Sequence, residues 1–135
     1  MRATKLMLLA ACAVAVVVIP AAWSEAGTRG YTNSYPGRGV GVTCLGNAAL
    51  DGKGNVTSCT LAQNAGYTNS YPGRGVGITC KGGAGVSFDP ANGNVASCTL
   101  AQNAGYTNVF PGKSTGISCR GGSSIRFDAK GNVSC

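Results

Sequence analysis

The feature that most constrains this chain is a motif written three times. Tyr31-Thr-Asn-Ser-Tyr-Pro-Gly-Arg-Gly-Val-Gly-Val-Thr-Cys44 recurs with one change from Tyr67 to Cys80, and returns loosened from Tyr106 to Cys119. The offsets of 36 and 39 residues are those of supersecondary units that bury a core by stacking on their neighbours. A second shared stretch, Ser58–Gly66 and Ser97–Gly105, links one copy to the next. The units run over about 31–66, 67–105 and 106–135.

Within a unit the period is two. Val76, Ile78 and Cys80 alternate with Gly77 and Thr79, and after a turn at Gly82-Gly83 a second strand is expected over Val86-Ser-Phe-Asp89, with Ile125-Arg-Phe-Asp128 as its counterpart. The segments starting at Asp51, Asp89 and Asp128 have an Asx-type start and a late Gly, and read as hairpin loops. A third strand begins at Val56, Val95 or Val133 and carries the second cysteine. Val133 and Cys135 are two apart, whereas Val56–Cys59 and Val95–Cys98 are three apart, so either one-residue bulges around Thr57-Ser58 and Ala96-Ser97 restore the common face or the first two copies are registered differently from the third. The Tyr-Thr-Asn-Ser-Tyr-Pro-Gly-Arg stretch is left as a polar loop. With 22 glycines and no apolar stripe of helical period, the expected fold is all-β: short antiparallel strands forming a hairpin-repeat sheet or small meander.

Upstream, Leu6 to Ile19 is an apolar run preceded by Arg2 and Lys5 and followed by small residues, the pattern of a secretory signal peptide over residues 1–24. The run is too short for a membrane-spanning helix, so no span is expected in the mature chain. A single β domain over 25–135 follows. Leu9-Ala-Ala-Cys12 also spells a bacterial lipobox, in which Cys12 becomes the lipid-bearing N-terminus; only about six apolar residues precede it, short of an ordinary signal core. Removal of Arg2 and Lys5 leaves nine of the eleven basic residues against four carboxylates, a formal charge of +5. The destination is the periplasm, cell surface or extracellular space.

Six cysteines then remain, Cys44, Cys59, Cys80, Cys98, Cys119 and Cys135, an even number that reads as a disulfide framework in an oxidising compartment. Pairing within each unit (44–59, 80–98, 119–135) is modular. Pairing between units (59–80, 98–119) has equal spacings but strands Cys44 and Cys135 at opposite ends. A middle strand separating the two cysteines of a unit by two gaps of about 4.8 Å would put the within-unit bond out of reach, so spacing leaves both arrangements open.

Residues 77–101, from Gly-Ile-Thr-Cys80 through Phe88, Asn92-Gly-Asn94 and Ser97-Cys-Thr-Leu-Ala101, resemble the hairpin repeats of the MORN type and their exported bacterial variants. The resemblance spans 40–65, 76–104 and 115–135. It implies a sheet of hairpins serving as a scaffold or binding surface, with no catalytic residues to carry over.

The chain has no histidine, the commonest general base and metal ligand. No Cys-x-x-Cys pair occurs, so the cysteines read as structural and the chain as a non-enzyme. Each Asp turn offers one carboxylate where a calcium loop needs several oxygens, so neither metal nor cofactor is expected. Asn55-Val-Thr57 and Asn132-Val-Ser134 fit the glycosylation pattern but are read as turn asparagines.

The strongest candidate site is the repeated aromatic and basic stretch: Tyr31, Tyr35 and Arg38; Tyr67, Tyr71 and Arg74; Tyr106, Phe110 and Lys113. Tyr rings stack on sugars and Arg forks match carboxylates and phosphates, whereas the competing reading makes the tyrosines core filler in a chain poor in Leu and Ile. On the binding reading the partners are an anionic glycan, a lipid headgroup or an envelope protein, contacted additively through exposed basic side chains that contribute little to folding. Nucleic acid is not expected, because no Lys/Arg stripe tracks a backbone. The alternative is a small secreted disulfide-rich effector, inhibitor- or toxin-like, acting on a protein target.

Overall fold

The structure is a computed structural model and describes residues 27–135; the signal-peptide and lipobox readings lie outside the described residues. Eleven strands make it all-β, with every pairing antiparallel. They are β1 (Thr28–Tyr35), β2 (Arg38–Leu50), β3 (Val56–Leu61), β4 (Ala65–Tyr71), β5 (Arg74–Cys80), β6 (Gly85–Phe88), β7 (Val95–Thr99), β8 (Ala104–Phe110), β9 (Lys113–Cys119), β10 (Ser124–Phe127) and β11 (Val133–Ser134).

Each unit is two hairpins, where the sequence predicts three strands and a loop. The Tyr-Thr-Asn-Ser-Tyr stretch is a full strand, β1, β4 or β8, paired with the strand after it. The turn is Pro-Gly, with Gly37, Gly73 and Gly112 at φ of 77–80°, the left-handed conformation that a Pro-Gly turn requires of its second residue. Tyr, Asn and Tyr alternate with Thr and Ser, but an asparagine at an inward position hides the period from an apolar count.

The second hairpins close through the Asp loops. The Asp51 carboxylate accepts the backbone N–H groups of Lys53 and Asn55, and Asp128 those of Lys130 and Asn132. These hairpins lie side by side in one sheet of order β1-β2-β3-β6-β7-β10-β11, in which the long β2 serves both hairpins of the first unit. The expected neighbouring of 76–80 and 86–89 is overturned: β5 forms a ladder with β4, and β6 pairs with β3 of the unit before and β7 of its own. The turn between them is anchored elsewhere. Gly82 donates its N–H to Asn64 Oδ1 at 2.8 Å and packs so closely on Gln63 that a Cβ would lie 2.5 Å from that backbone.

The core lies between the first hairpins, which contribute Val40, Val42 and Ile78, and the sheet, which contributes Val56, Val86, Val95, Ile125 and Val133. Leu61 and Leu100, from the Thr-Leu-Ala stretch, are 1% exposed. The bulges fall where the spacing put them: Ala49 and Leu50 face Ser58 and Val56 across an extra Thr57, Ser87 and Phe88 face Ser97 and Val95 across an extra Ala96, and β10–β11 has none.

Three disulfides link Cys44–Cys59, Cys80–Cys98 and Cys119–Cys135, with Cα atoms 5.8–5.9 Å apart. The distance objection fails because no strand intervenes. The end of β5 lies against the end of β7, where Cys80 bridges to Leu100. Cys80–Cys98 and Cys119–Cys135 therefore staple the separate hairpins β4-β5 and β8-β9 to the sheet, and Cys44–Cys59 links β2 to β3 within it.

Candidate functional site

The first hairpins and the sheet are joined by paired asparagines. Asn33 accepts the Val56 N–H at 2.7 Å and donates to the Val56 carbonyl at 3.0 Å; Asn69 does the same to Val95 and Asn108 to Val133. In return Asn55, Asn94 and Asn132 bind both backbone groups of Ser34, Ser70 and Val109. Each amide replaces one rung of a β-ladder, which is how six buried polar side chains meet the requirement that a buried donor or acceptor have a partner.

Tyr35 and Tyr71 grow out of this arrangement. Their hydroxyls accept Nδ2–H bonds from Asn33 (3.2 Å) and Asn69 (2.9 Å). Their rings cover glycines of the following unit: a Cβ on Gly93 would fall 2.3 Å from Tyr35, and one on Gly131 2.6 Å from Tyr71. Arg38 reaches the same unit, donating to Asn94 Oδ1 and the Thr68 carbonyl at 3.0 Å each, and Arg74 donates to the carbonyls of Thr107 (3.1 Å) and Gly131 (2.6 Å). Tyr35, Arg38, Tyr71 and Arg74 thus cement one unit to the next. The expectation that the basic side chains are dispensable to folding is corrected for Arg38 and Arg74. Arg74→Ala is expected to cost about 1–2 kcal/mol, and Lys113→Ala, at an exposed position, less than about 0.5. Denaturant midpoints of the two variants check this.

Tyr67 and Tyr106 lie edge-on to Phe88 and Phe127, with centroids 5.4 and 6.0 Å apart. Their hydroxyls are enclosed and lack a hydrogen-bond partner, and burial raises both phenols above their ordinary pKa. Tyr35 and Tyr71 are raised by burial too, opposed by the asparagine bonds. Tyr67→Phe removes an unpaired hydroxyl and is expected to stabilise by about 1 kcal/mol. The folded chain keeps these phenols neutral at a pH where the unfolded chain releases its protons, so the unfolded state binds fewer protons and stability falls above about pH 10. Phe replacements at both positions should flatten that fall in pH-dependent melts.

Arg38 and Tyr67 meet along one inter-unit groove of about 270 Å³, and Arg74 and Tyr106 along its equivalent of about 290 Å³. Tyr31 is half-buried against the core, while Phe110 and Lys113 are exposed and brought to no other candidate.

The candidate residues omit the outer face of the sheet. Ser58, Ser87, Ser97, Arg126 and Ser134 form one row across the strands, and Thr99 pairs with Ser124 in a second. The Ser87 and Ser97 hydroxyls are 2.6 Å apart. Ser58, Ser87, Ser97, Thr99 and Ser124 border an open trough of about 560 Å³, with Asn47, Thr60, Val86, Cys59 and Cys98 also lining it and no carboxylate among its lining residues. The signal was present as the polar half of each alternating strand. Among the described residues no three His, Cys, Asp or Glu side chains gather to hold a metal ion, and no helix is long and apolar enough to cross a membrane. No protein-family model, no curated protein and no solved structure matches the chain.

Proposed function

We propose that this is a non-catalytic exported β-repeat module that binds an anionic glycan on the hydroxyl-lined face of its sheet. The observation carrying this reading is the trough itself: ligand-sized, lined by short hydroxyl and amide side chains, and flanked in the same row by Arg126. Ser and Thr both donate and accept, matching sugar hydroxyls, and lose little rotamer freedom when they do so. The guanidinium supplies the charge-assisted bond for a carboxylate or sulfate. Export is supported by three disulfides and the signal-like segment. The MORN-like resemblance agrees with a scaffold of hairpins offering one flat face.

Calorimetry against acidic polysaccharides and phospholipid vesicles tests the reading. Ser97→Tyr, which fills the trough, should abolish glycan binding. Arg126→Gln should weaken binding to acidic chains about tenfold, or roughly 1.4 kcal/mol, and leave neutral chains unaffected. Binding that survives both but is lost in an Arg38/Arg74/Lys113 triple variant would return the site to the first hairpins. Saturation at one protein per protein target would favour the effector alternative.

A further inference from the structure

The contact between consecutive units has two halves. One is an aromatic and a basic residue at the tip of a first hairpin; the other is a loop glycine and a threonine carbonyl in the unit that follows. Within the chain the halves meet twice, Tyr35 and Arg38 with Gly93 and Thr68, and Tyr71 and Arg74 with Gly131 and Thr107. Among the described residues one of each half has no counterpart. Phe110 and Lys113 hold the aromatic and basic places in the third unit, and Phe110 is 41% exposed. Gly54 and Thr32 hold the receiving places in the first. Gly54 has φ +84° like its equivalents, yet it is exposed with nothing near its Cβ position, whereas Gly93 and Gly131 are buried under tyrosine.

Two further observations place the same gap. Leu50 occupies the position of Phe88; Phe88 is 4% exposed with a unit before it, and Leu50 is 50% exposed. In the sheet, units join through β3–β6 and β7–β10, while among the described residues β11 pairs only with β10, and Ala49 and Leu50 of β2 pair only with β3. The exposed surfaces on the first and third units are therefore the complementary halves of a junction already formed twice inside the chain.

We propose that copies of this chain associate head to tail through this unfilled junction, the third unit of one copy docking on the first unit of the next. The internal register fixes the geometry. Since Ser97 faces Arg126 and Cys98 faces Ile125, Ser134 faces Ala49 and Cys135 faces Ala48 of the neighbouring copy. Phe110 covers Gly54, and the Lys113 ammonium donates to the Gly54 and Thr32 carbonyls. Lys53 adds no new repulsion, because Lys130 already holds the equivalent place beside Gly131, where Arg74 docks. The contact is heterologous, so it propagates rather than closing on itself. It does not depend on the glycan reading.

Sedimentation of the exported, disulfide-formed protein up to about 1 mM, the range of a weak contact, tests the proposal. The wild type should gain mass with concentration without a plateau at the dimer. Phe110→Asp and Leu50→Asp should each be monomeric, and their equimolar mixture should form a one-to-one dimer and nothing larger, because each variant keeps the half that the other has lost. Lys113→Glu, at a surface position with no folding role, should weaken association at least fivefold and covers the case where an aspartate variant does not fold. A wild type that stays monomeric, a closed dimer that mixing cannot rebuild, or growth unaffected by all three substitutions would each overturn the proposal.

Discussion

Asn69→Ala is expected to destabilise the protein by about 3–5 kcal/mol, a large share of the total for a domain of this size. The substitution leaves the Val95 N–H and carbonyl without the bonds they make to Asn69, in a place that is 0% exposed at Asn69 and 1% at Val95, and it removes the donor to the Tyr71 hydroxyl. Each unpaired buried group costs about 1–3 kcal/mol, and no apolar gain offsets it. The neighbouring Ser70→Ala is the control: Asn94 binds only the backbone of Ser70, so the melt should move by less than the equivalent of about 0.5 kcal/mol. Asn69→Asp separates hydrogen bonding from shape. An ionised carboxylate can accept the Val95 N–H but cannot donate to its carbonyl, and burial favours the neutral form, raising the folded-state pKa. The carboxylate penalty should therefore be full at neutral pH and shrink as pH falls through that raised value, where the carboxylic acid both donates and accepts. Chemical denaturation of the three variants at neutral and acid pH checks this; an Asn69→Ala protein with wild-type stability would remove the asparagine bridges from the account of the fold.

Those bridges also mark where sequence reading stops. The strands of the second hairpin, their Asp turns and both bulges were legible because each is a local pattern: Val-to-Cys spacing of two or three fixes how many residues share a face, and Asp before Gly fixes a turn. The asparagines were not. Asn55, Asn94 and Asn132 looked like ordinary turn residues, and Asn33, Asn69 and Asn108 like part of a polar loop, because their partners lie 21–26 positions away in the chain. The third unit offered the clue. There Tyr71 gives way to Phe110, Ser70 to Val109 and Arg74 to Lys113, yet Asn108 and Asn132 stay, so what persists is the bridge between hairpins. Losing the first hairpin as a loop also moved the expected site. Tyr35 and Arg38 look like exposed ligand contacts only until the next unit is placed against them, and the hydroxyl face was overlooked because small polar residues in a strand read as the solvent side of a sheet.

The second large effect is expected from reduction. Loops of 15, 18 and 16 residues, cross-linked as they are, contribute about 3 kcal/mol each in the chain-entropy account, together comparable to the full stability of a small domain. The fully reduced protein should therefore lose its β-sheet signal at 25 °C. The order of loss is set by access, since exchange needs a thiolate to reach a sulfur. Cys135 is exposed, whereas Cys80 and Cys98 are 0% and 4% exposed. Cys119–Cys135 should open first under mild reductant, and the intermediate should keep most of its structure because Asn108 still holds both backbone groups of Val133. Cys80–Cys98 should open last and with the cooperative unfolding transition, because β4 and β5 form no ladder with the main sheet beyond the single Cys80–Leu100 bridge and depend on that disulfide and the asparagines to stay docked. Timed alkylation with peptide mass mapping, run beside far-ultraviolet circular dichroism, reads both the order and the structural consequence. Equal rates for all three bonds, or a fully reduced chain that melts as the oxidised one does, would show that the hairpins are held to the sheet without their staples.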